Sequence, residues 1–160
     1  MLILNTGGTF NKRYNPLSGE VEVAYDNNAI ETILETNLSQ YDLAAVMYKD
    51  SLDMDMNDRK ILANIIMESV DNSFLIIHGT DTMHETAEFL STVFEDRKIV
   101  ITGAMRPFEI DKIESSLNLG SSIGFLKAQE KNGVYICMNG YIEPWEKIKK
   151  NTLKGQFELV

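Results

Sequence analysis

Short apolar runs alternate with stretches of helical periodicity along this 160-residue chain. The runs are three to six residues long, as expected for strands buried on both faces of a parallel sheet. They predict strands at Leu2–Leu4, Leu43–Met47, Phe74–Ile77, Ile99–Ile101 and Gly133–Met138. Between them, apolar residues recur at helical spacing and predict helices at about Asn28–Leu38, Asn57–Val70, His84–Phe94 and Ser115–Gln129. This alternation predicts an α/β fold: one three-layer αβα domain with a mostly parallel, Rossmann-like sheet.

The segment from Asn11 to Asp26 interrupts the alternation. It contains Pro16 and the pair Ser18-Gly19, which are typical of turns, followed by alternating charged and apolar residues at Glu20–Val23. We expect an N-terminal β-hairpin flap here, between the first strand and the first helix. A long connection of this kind inside a compact domain is often functional.

Three predicted strands end in a similar way, with glycine followed by hydroxyl or charged residues. The segments are Asn5–Thr9, His78–Thr82 and Thr102–Pro107. In an open α/β fold, ligands bind at the carboxyl edge of the sheet, where all three segments converge. The pattern therefore predicts a polar pocket whose floor is lined by backbone N–H groups.

Composition narrows the class of protein. The net charge of −9 and the lack of basic runs argue against nucleic-acid or membrane-surface binding. No apolar run approaches the length of a membrane span, and the N-terminus has the pattern of a first strand and not of a signal peptide. The single cysteine, Cys137, lies in an apolar run and predicts a core position and a reducing cytoplasmic location.

The polar candidates each have an ordinary alternative. Thr9 is a weak nucleophile without a base or cation beside it, and its hydroxyl could bond its own turn. Thr80 and Asp81 are good helix N-caps, although a helix N-terminus would also stabilise an anion nearby. Lys150 could activate a threonine if an aspartate held it in place, but most lysines in a polar tail are solvated. These residues predict a small-molecule site without identifying its reaction.

Three further polar residues have supporting roles in this interpretation. Two histidines without a Cys or carboxylate cluster argue against zinc, so no metal is expected. We expect His78 to support its turn from below and His84 to lie on an exposed helix face. Arg106, which precedes Pro107, is expected to form a structural ion pair or to anchor its loop, in preference to holding a substrate.

Three segments together resemble the signature of the bacterial-type asparaginase/glutaminase family: Thr6–Thr9, His78–Met83 and Thr102–Pro107. Their order and spacing also agree with the family's. The resemblance implies a metal-free and cofactor-free enzyme that hydrolyses the side-chain amide of asparagine, and to a variable extent glutamine, and releases ammonia. It covers residues 1–160 as the family's larger N-terminal domain, with the C-terminal domain absent.

The resemblance also implies roles for individual residues. Thr9 matches the nucleophilic threonine, and Tyr14 is a better match than Tyr25 for its partner tyrosine. The catalytic residues expected from the match are Thr9, Tyr14, Thr80, Asp81 and Lys150. The expected substrate contacts are Gly8, Ser51, Asp53, Gly79 and Ala104. Ser51 and Asp53 resemble the segment that holds the substrate's α-carboxylate, and residues 55–58 offer an alternative register.

Two departures from the family pattern leave alternatives open. The resemblance covers only the family's N-terminal domain, and residues 108–114 lack the usual Ser/Asp-Gly pattern. Of a natural single-domain member and a truncated chain, we expect the first, and we expect it to form a homodimer or higher homo-oligomer. The alternatives are a non-catalytic module that binds aspartate or asparagine, and an amidase for a larger amide substrate.

Overall fold

The computed structural model describes all residues from Met1 to Val160 as ten strands, four α-helices and three short 3₁₀ helices. The strands are β1 (Leu2–Gly7), β2 (Lys12–Asn15), β3 (Glu20–Val23), β4 (Asp42–Lys49), β5 (Ser73–Ile77), β6 (Lys98–Thr102), β7 (Gly133–Met138), β8 (Tyr141–Pro144), β9 (Ile148–Asn151) and β10 (Gln156–Leu159). The helices are α1 (Asn28–Thr36), α2 (Met56–Glu68), α3 (Met83–Val93) and α4 (Lys112–Ala128).

Six strands form the central sheet, in the order β4-β1-β5-β6-β7-β8. The first five are parallel, and β8 adds an antiparallel edge. From β1 the chain moves outward to β4 and then crosses back to β5 on the other side of β1. The carboxyl ends of β1 and β5 therefore flank a topological switch point, which is where open α/β sheets bind ligands.

Each face of the sheet packs against two helices. Helices α2 and α3 cover one face, where the core includes Leu62, Leu90 and Ile101. Helices α1 and α4 cover the other, where it includes Ile30, Leu75 and Ile123. The predicted three-layer αβα fold with a mostly parallel sheet is confirmed.

The predicted hairpin also forms. Strands β2 and β3 pair antiparallel, with Tyr14 opposite Val21 and Asn15 opposite Glu20. The hairpin follows the 3₁₀ helix Thr9–Asn11, so it rises directly from the end of β1. This position places it beside the carboxyl edge of the sheet.

The C-terminal segment has strands that the sequence pattern does not predict. Strands β9 and β10 form a separate two-stranded sheet. Ile148 and Phe157 anchor this sheet, because both are buried in the core on the α2–α3 side. Ile148 and Phe157 are each flanked by polar residues in the sequence, so neither strand contains an apolar run that would predict it.

Candidate active site

The strand-end turns meet at glycines. Gly8 follows β1 and Gly79 follows β5, and a Cβ on Gly8 would lie 2.4 Å from the nitrogen of Gly79. Gly8 also has a positive φ of 75°, so both its conformation and its close contact require glycine. Thr9 and Thr80 come directly after these two glycines, so the contact brings the two threonines to neighbouring positions.

Lys150 joins the second of these turns from the tail. Its Nζ donates to Thr80 Oγ1 at 2.8 Å and to Asp81 Oδ1 at 2.7 Å. The Lys150 side chain is 16% exposed and that of Asp81 is 41% exposed. The β9–β10 sheet therefore brings a lysine to a hydroxyl and a carboxylate that lie about 70 residues earlier in the chain. A cation in contact with a hydroxyl oxygen lowers the cost of removing its proton.

Ser51 supports the same turn from the β4 side. It lies in the 3₁₀ helix Ser51–Asp53 and is fully buried. Its Oγ accepts from the backbone N–H groups of Asp81 at 3.2 Å and Thr82 at 3.4 Å. Thr82 Oγ1 donates to the Ser51 carbonyl at 2.7 Å. Ser51 therefore fixes the turn, whereas Asp53 is exposed, and the contact of either residue with a substrate stays a prediction.

Thr9 and Tyr14 lie on the hairpin side of the site. Thr9 is half-buried and begins the 3₁₀ helix. Tyr14 is 56% exposed and shares the Lys12 face of strand β2, because side chains alternate along a strand. Lys12 Nζ contacts Asp50 Oδ2 at 2.6 Å, next to Ser51. Lys12 therefore reaches the loop that carries Ser51, and the assistance of Thr9 by Tyr14 stays a prediction.

His78 lies beneath the turn and is fully buried. Its Nδ1 contacts the Gly79 carbonyl at 2.7 Å, and its Nε2 contacts Thr86 Oγ1 at 2.9 Å. Burial lowers the pKa of His78 to about 4; the Gly79 carbonyl raises it and the nearby Arg59 lowers it further. The imidazole is therefore neutral at physiological pH, and the prediction that it supports the turn agrees with this geometry.

The third strand-end turn contributes backbone close to His78. A Cβ on Gly103 would lie 2.3 Å from the His78 carbonyl, so glycine permits the contact. Ala104, which follows it, is fully buried in the core on the α1–α4 side. Glu114 accepts from the N–H groups of Met105 at 2.8 Å and Arg106 at 3.1 Å. Ala104 therefore belongs to a fixed loop, and its contact with a substrate stays a prediction.

Some polar contacts were missed or misplaced by sequence reasoning. Arg106 forms the expected ion pair, with Asp111 at 2.9 Å. The expectation of an exposed His84 is wrong, because the tail folds back and places Trp145 against its ring, with centroids 5.0 Å apart. The links from Lys12 to Asp50 and from the Tyr14 N–H to Glu109 (2.7 Å) were also missed. The only sequence signal for these two links is the acidic character of Asp50 and Glu109.

Comparison with known proteins identifies the family of this chain. A family model described as "Asparaginase, N-terminal" matches residues 1–155. The chain belongs to the asparaginase family. It is 34% identical over 148 residues to L-asparaginase 2 of Escherichia coli K12, with 86% of this chain and 42% of that protein covered.

One further relative has a name that describes a different reaction, and a solved structure of low sequence identity shows the fold alone. The chain is 31% identical over 147 residues to a glutamyl-tRNA(Gln) amidotransferase subunit of Methanococcus vannielii, with 88% of this chain and 34% of that protein covered. The thermostable L-asparaginase of Thermococcus kodakarensis superposes with a TM-score of 0.83 at 21% identity. That superposition covers 99% of this chain and 50% of that one. The chain thus spans less than half the length of the two curated relatives, from Escherichia coli and Methanococcus vannielii.

None of the four helices is both long enough and apolar enough to cross a membrane. The structure also contains no group of three or more His, Cys, Asp or Glu side chains arranged to hold a metal ion. The expectation of catalysis without a cofactor stays a prediction.

Proposed function

We propose that this asparaginase-family chain is an amidohydrolase that converts the side-chain amide of L-asparagine to the acid and ammonia, with L-glutamine as the second candidate substrate. One observation carries the proposal: Lys150 Nζ contacts both Thr80 Oγ1 and Asp81 Oδ1, at 2.8 and 2.7 Å. A Thr–Lys–Asp contact at the carboxyl edge of the sheet suits proton transfer to and from a hydroxyl or a water molecule.

In the proposed mechanism Thr9 is the nucleophile and Tyr14 assists it. The Thr9 oxygen bonds to the amide carbon, and the carbon–nitrogen bond then breaks. The proton from Thr9 reaches the departing nitrogen through Tyr14, which gives ammonia and an ester. Thr80, Lys150 and Asp81 then activate the water that hydrolyses the ester and releases the acid.

The backbone at the glycine turns stabilises the negative oxygen of the tetrahedral intermediate. The Thr80 N–H is suited to this role because it donates to no other group of the protein, and the Thr9 N–H is the proposed second donor. Ser51 and Asp53, with the backbone of Gly8, Gly79 and Ala104, are the proposed substrate contacts. The Ser51–Asp53 segment is assigned to the α-carboxylate.

A larger amide is a further candidate substrate. The similarity to a glutamyl-tRNA(Gln) amidotransferase subunit favours this candidate, since that relative is named for amide transfer to a glutamyl group on tRNA. A module that binds aspartate or asparagine without turnover is the remaining alternative. In that alternative the ligand raises the melting temperature of the chain without release of ammonia.

Ammonia release tests the proposal. Purified wild-type chain is incubated with asparagine and with glutamine, alongside the variants Thr9→Ala and Thr80→Val. Release that both variants abolish supports the assigned site. Release from a substituted amide alone favours the larger substrate, and no release from a folded chain that binds asparagine favours the binding module.

The assembly and cellular location are part of the same proposal. We expect a homodimer or higher homo-oligomer, because Ile110, Ile113 and Leu117 expose large apolar side chains around the start of α4. Light scattering of the purified chain tests this. We expect a cytoplasmic location because the one cysteine, Cys137, is buried and unpaired; cell fractionation tests it. That residues 1–160 act without a second domain also stays a prediction.

A further inference from the structure

A chain of buried hydrogen bonds runs beneath the Thr80 turn and fixes the state of His78. The Gly79 carbonyl can only accept a hydrogen bond, so His78 Nδ1 carries the proton and donates to it at 2.7 Å. In the neutral ring Nε2 is then an acceptor, and the Thr86 hydroxyl donates to it at 2.9 Å. Only one tautomer of His78 fits these contacts.

Arg59 fixes the direction of the Thr86 hydroxyl. Its Nε donates to Thr86 Oγ1 at 3.1 Å, which leaves the hydroxyl proton free to point at His78. Arg59 is only 4% exposed and is held by Glu85 at 2.9 Å and by the Met54 carbonyl at 3.3 Å. Helices α2 and α3 thus supply a rigid base for the imidazole.

The imidazole in turn fixes one peptide plane. The Gly79 carbonyl and the Thr80 N–H belong to the same trans peptide and point in opposite directions. Since His78 holds the carbonyl toward the imidazole, the Thr80 N–H points away from the imidazole. The next two N–H groups along the turn are bound by Ser51 Oγ, whereas that of Thr80 donates to no group of the protein.

We infer that His78 is a positioning residue, held by Thr86 and Arg59, that aims the Thr80 N–H at the negative oxygen of the reacting amide. The inference rests on the proposed function, because it assigns that N–H to the tetrahedral intermediate. His78 itself touches neither the substrate nor the reacting atoms. Its neutral state suits the role, since an imidazolium would have no acceptor side left for the Thr86 proton.

Thr86→Val tests this at nearly constant side-chain volume. The variant removes the donor to His78 Nε2 and also the acceptor of Arg59 Nε. We expect kcat to fall by about 10- to 100-fold, which is no more than the loss of a whole oxyanion donor causes. KM should change by less than about threefold, because the donor acts on the transition state. Thr86→Ser keeps the hydroxyl and should restore kcat.

Thr102→Val is the matched control. Thr102 is also fully buried, and its hydroxyl donates to the Cys137 carbonyl at 2.7 Å. Its backbone carbonyl accepts from the His78 N–H at 2.8 Å, and valine keeps that carbonyl. Thr102→Val therefore loses one buried side-chain hydrogen bond that does not involve the imidazole. A kcat loss in Thr86→Val no larger than that in Thr102→Val overturns the inference.

A nitrogen-15 NMR spectrum of the imidazoles gives a readout that needs no turnover. The chain has two histidines, so a His84→Gln variant assigns the signals of His78. We expect one tautomer, protonated at Nδ1, in the wild type, and a displaced or doubled Thr80 amide signal in Thr86→Val but not in Thr102→Val. A proton on Nε2 or an unmoved Thr80 amide overturns the inference. If the wild type hydrolyses no amide, the proposed function fails, and these spectra still decide whether His78 orients the Thr80 peptide.

Discussion

Replacing Lys150 by Met removes the ammonium group that contacts Thr80 and Asp81 and keeps most of the side chain's length. The wild-type contacts are 2.8 Å to Thr80 Oγ1 and 2.7 Å to Asp81 Oδ1. The side chain of Lys150 is mostly buried, so an unbranched apolar residue should retain its packing. The substitution therefore separates the chemistry of the site from its structure.

The expected effects on activity and stability differ widely. Loss of a positioned proton-transfer group lowers the rate by about 10²- to 10⁴-fold, or about 3 to 5 kcal/mol in the activation barrier. The ion pair with Asp81 contributes at most about 1 kcal/mol to the free energy of unfolding, because that carboxylate is 41% exposed and screened by water. For a chain of this size, this corresponds to a melting temperature about 2–4 °C lower. The variant should be folded and inactive.

The assay measures ammonia release and the melting temperature of Lys150→Met beside Lys149→Met. Lys149 is the preceding residue of β9 and its side chain is exposed, so its replacement should change neither quantity appreciably. A Lys150→Met variant that keeps more than about a tenth of the wild-type kcat/KM would contradict a role for Lys150 in proton transfer. Equal losses of activity in the two variants would also contradict a specific role for Lys150.

Three further predictions concern the hairpin, the glycine contact and pH. Tyr14→Phe should lower kcat by about 10-fold or more while Tyr25→Phe does not, because only Tyr14 is assigned to the nucleophile; equal rates in the two variants would remove that assignment. Gly8→Ala should lower the melting temperature further than Gly19→Ala. Both glycines have a positive φ, but only Gly8 lies close to other backbone atoms. Equal losses in calorimetry would contradict the close contact between Gly8 and Gly79. His78 has a pKa of about 4 in the fold and about 6.5 when unfolded, so between these values only the unfolded chain binds its proton. The free energy of unfolding should therefore fall by about 3 kcal/mol as pH drops from about 6.5 to 4, in urea titrations, and a His78→Gln variant with the same slope would contradict this.

Much of the fold could be predicted from the sequence because its signals are local. Each buried parallel strand contains an uninterrupted apolar run, and the predicted strand Phe74–Ile77 lies wholly within β5. The observed strands extend beyond the apolar runs because the backbone pairing between strands continues into polar residues, as in β1, which pairs with β4 as far as Gly7. The β9–β10 sheet has no comparable signal, since Ile148 and Phe157 stand alone among polar neighbours.

The candidate site was predictable only in part, because its contacts join distant segments. The three glycine turns stand out locally, and parallel strands bring their ends to one edge. Lys150 could be assigned only through the family resemblance, since its partners lie about 70 residues away. The support of His78 by Thr86 and Arg59 depends on how α2 and α3 pack, which periodicity alone does not fix.

The most direct test of the account follows asparagine by proton NMR in the presence of the wild-type chain. We expect aspartate and ammonia to appear in equal amounts, and we expect Thr80→Val, with an unchanged melting temperature, to produce neither. Asparagine that stays intact beside a folded wild-type chain would contradict the proposed hydrolysis. Turnover that persists in Thr80→Val would contradict the assigned site.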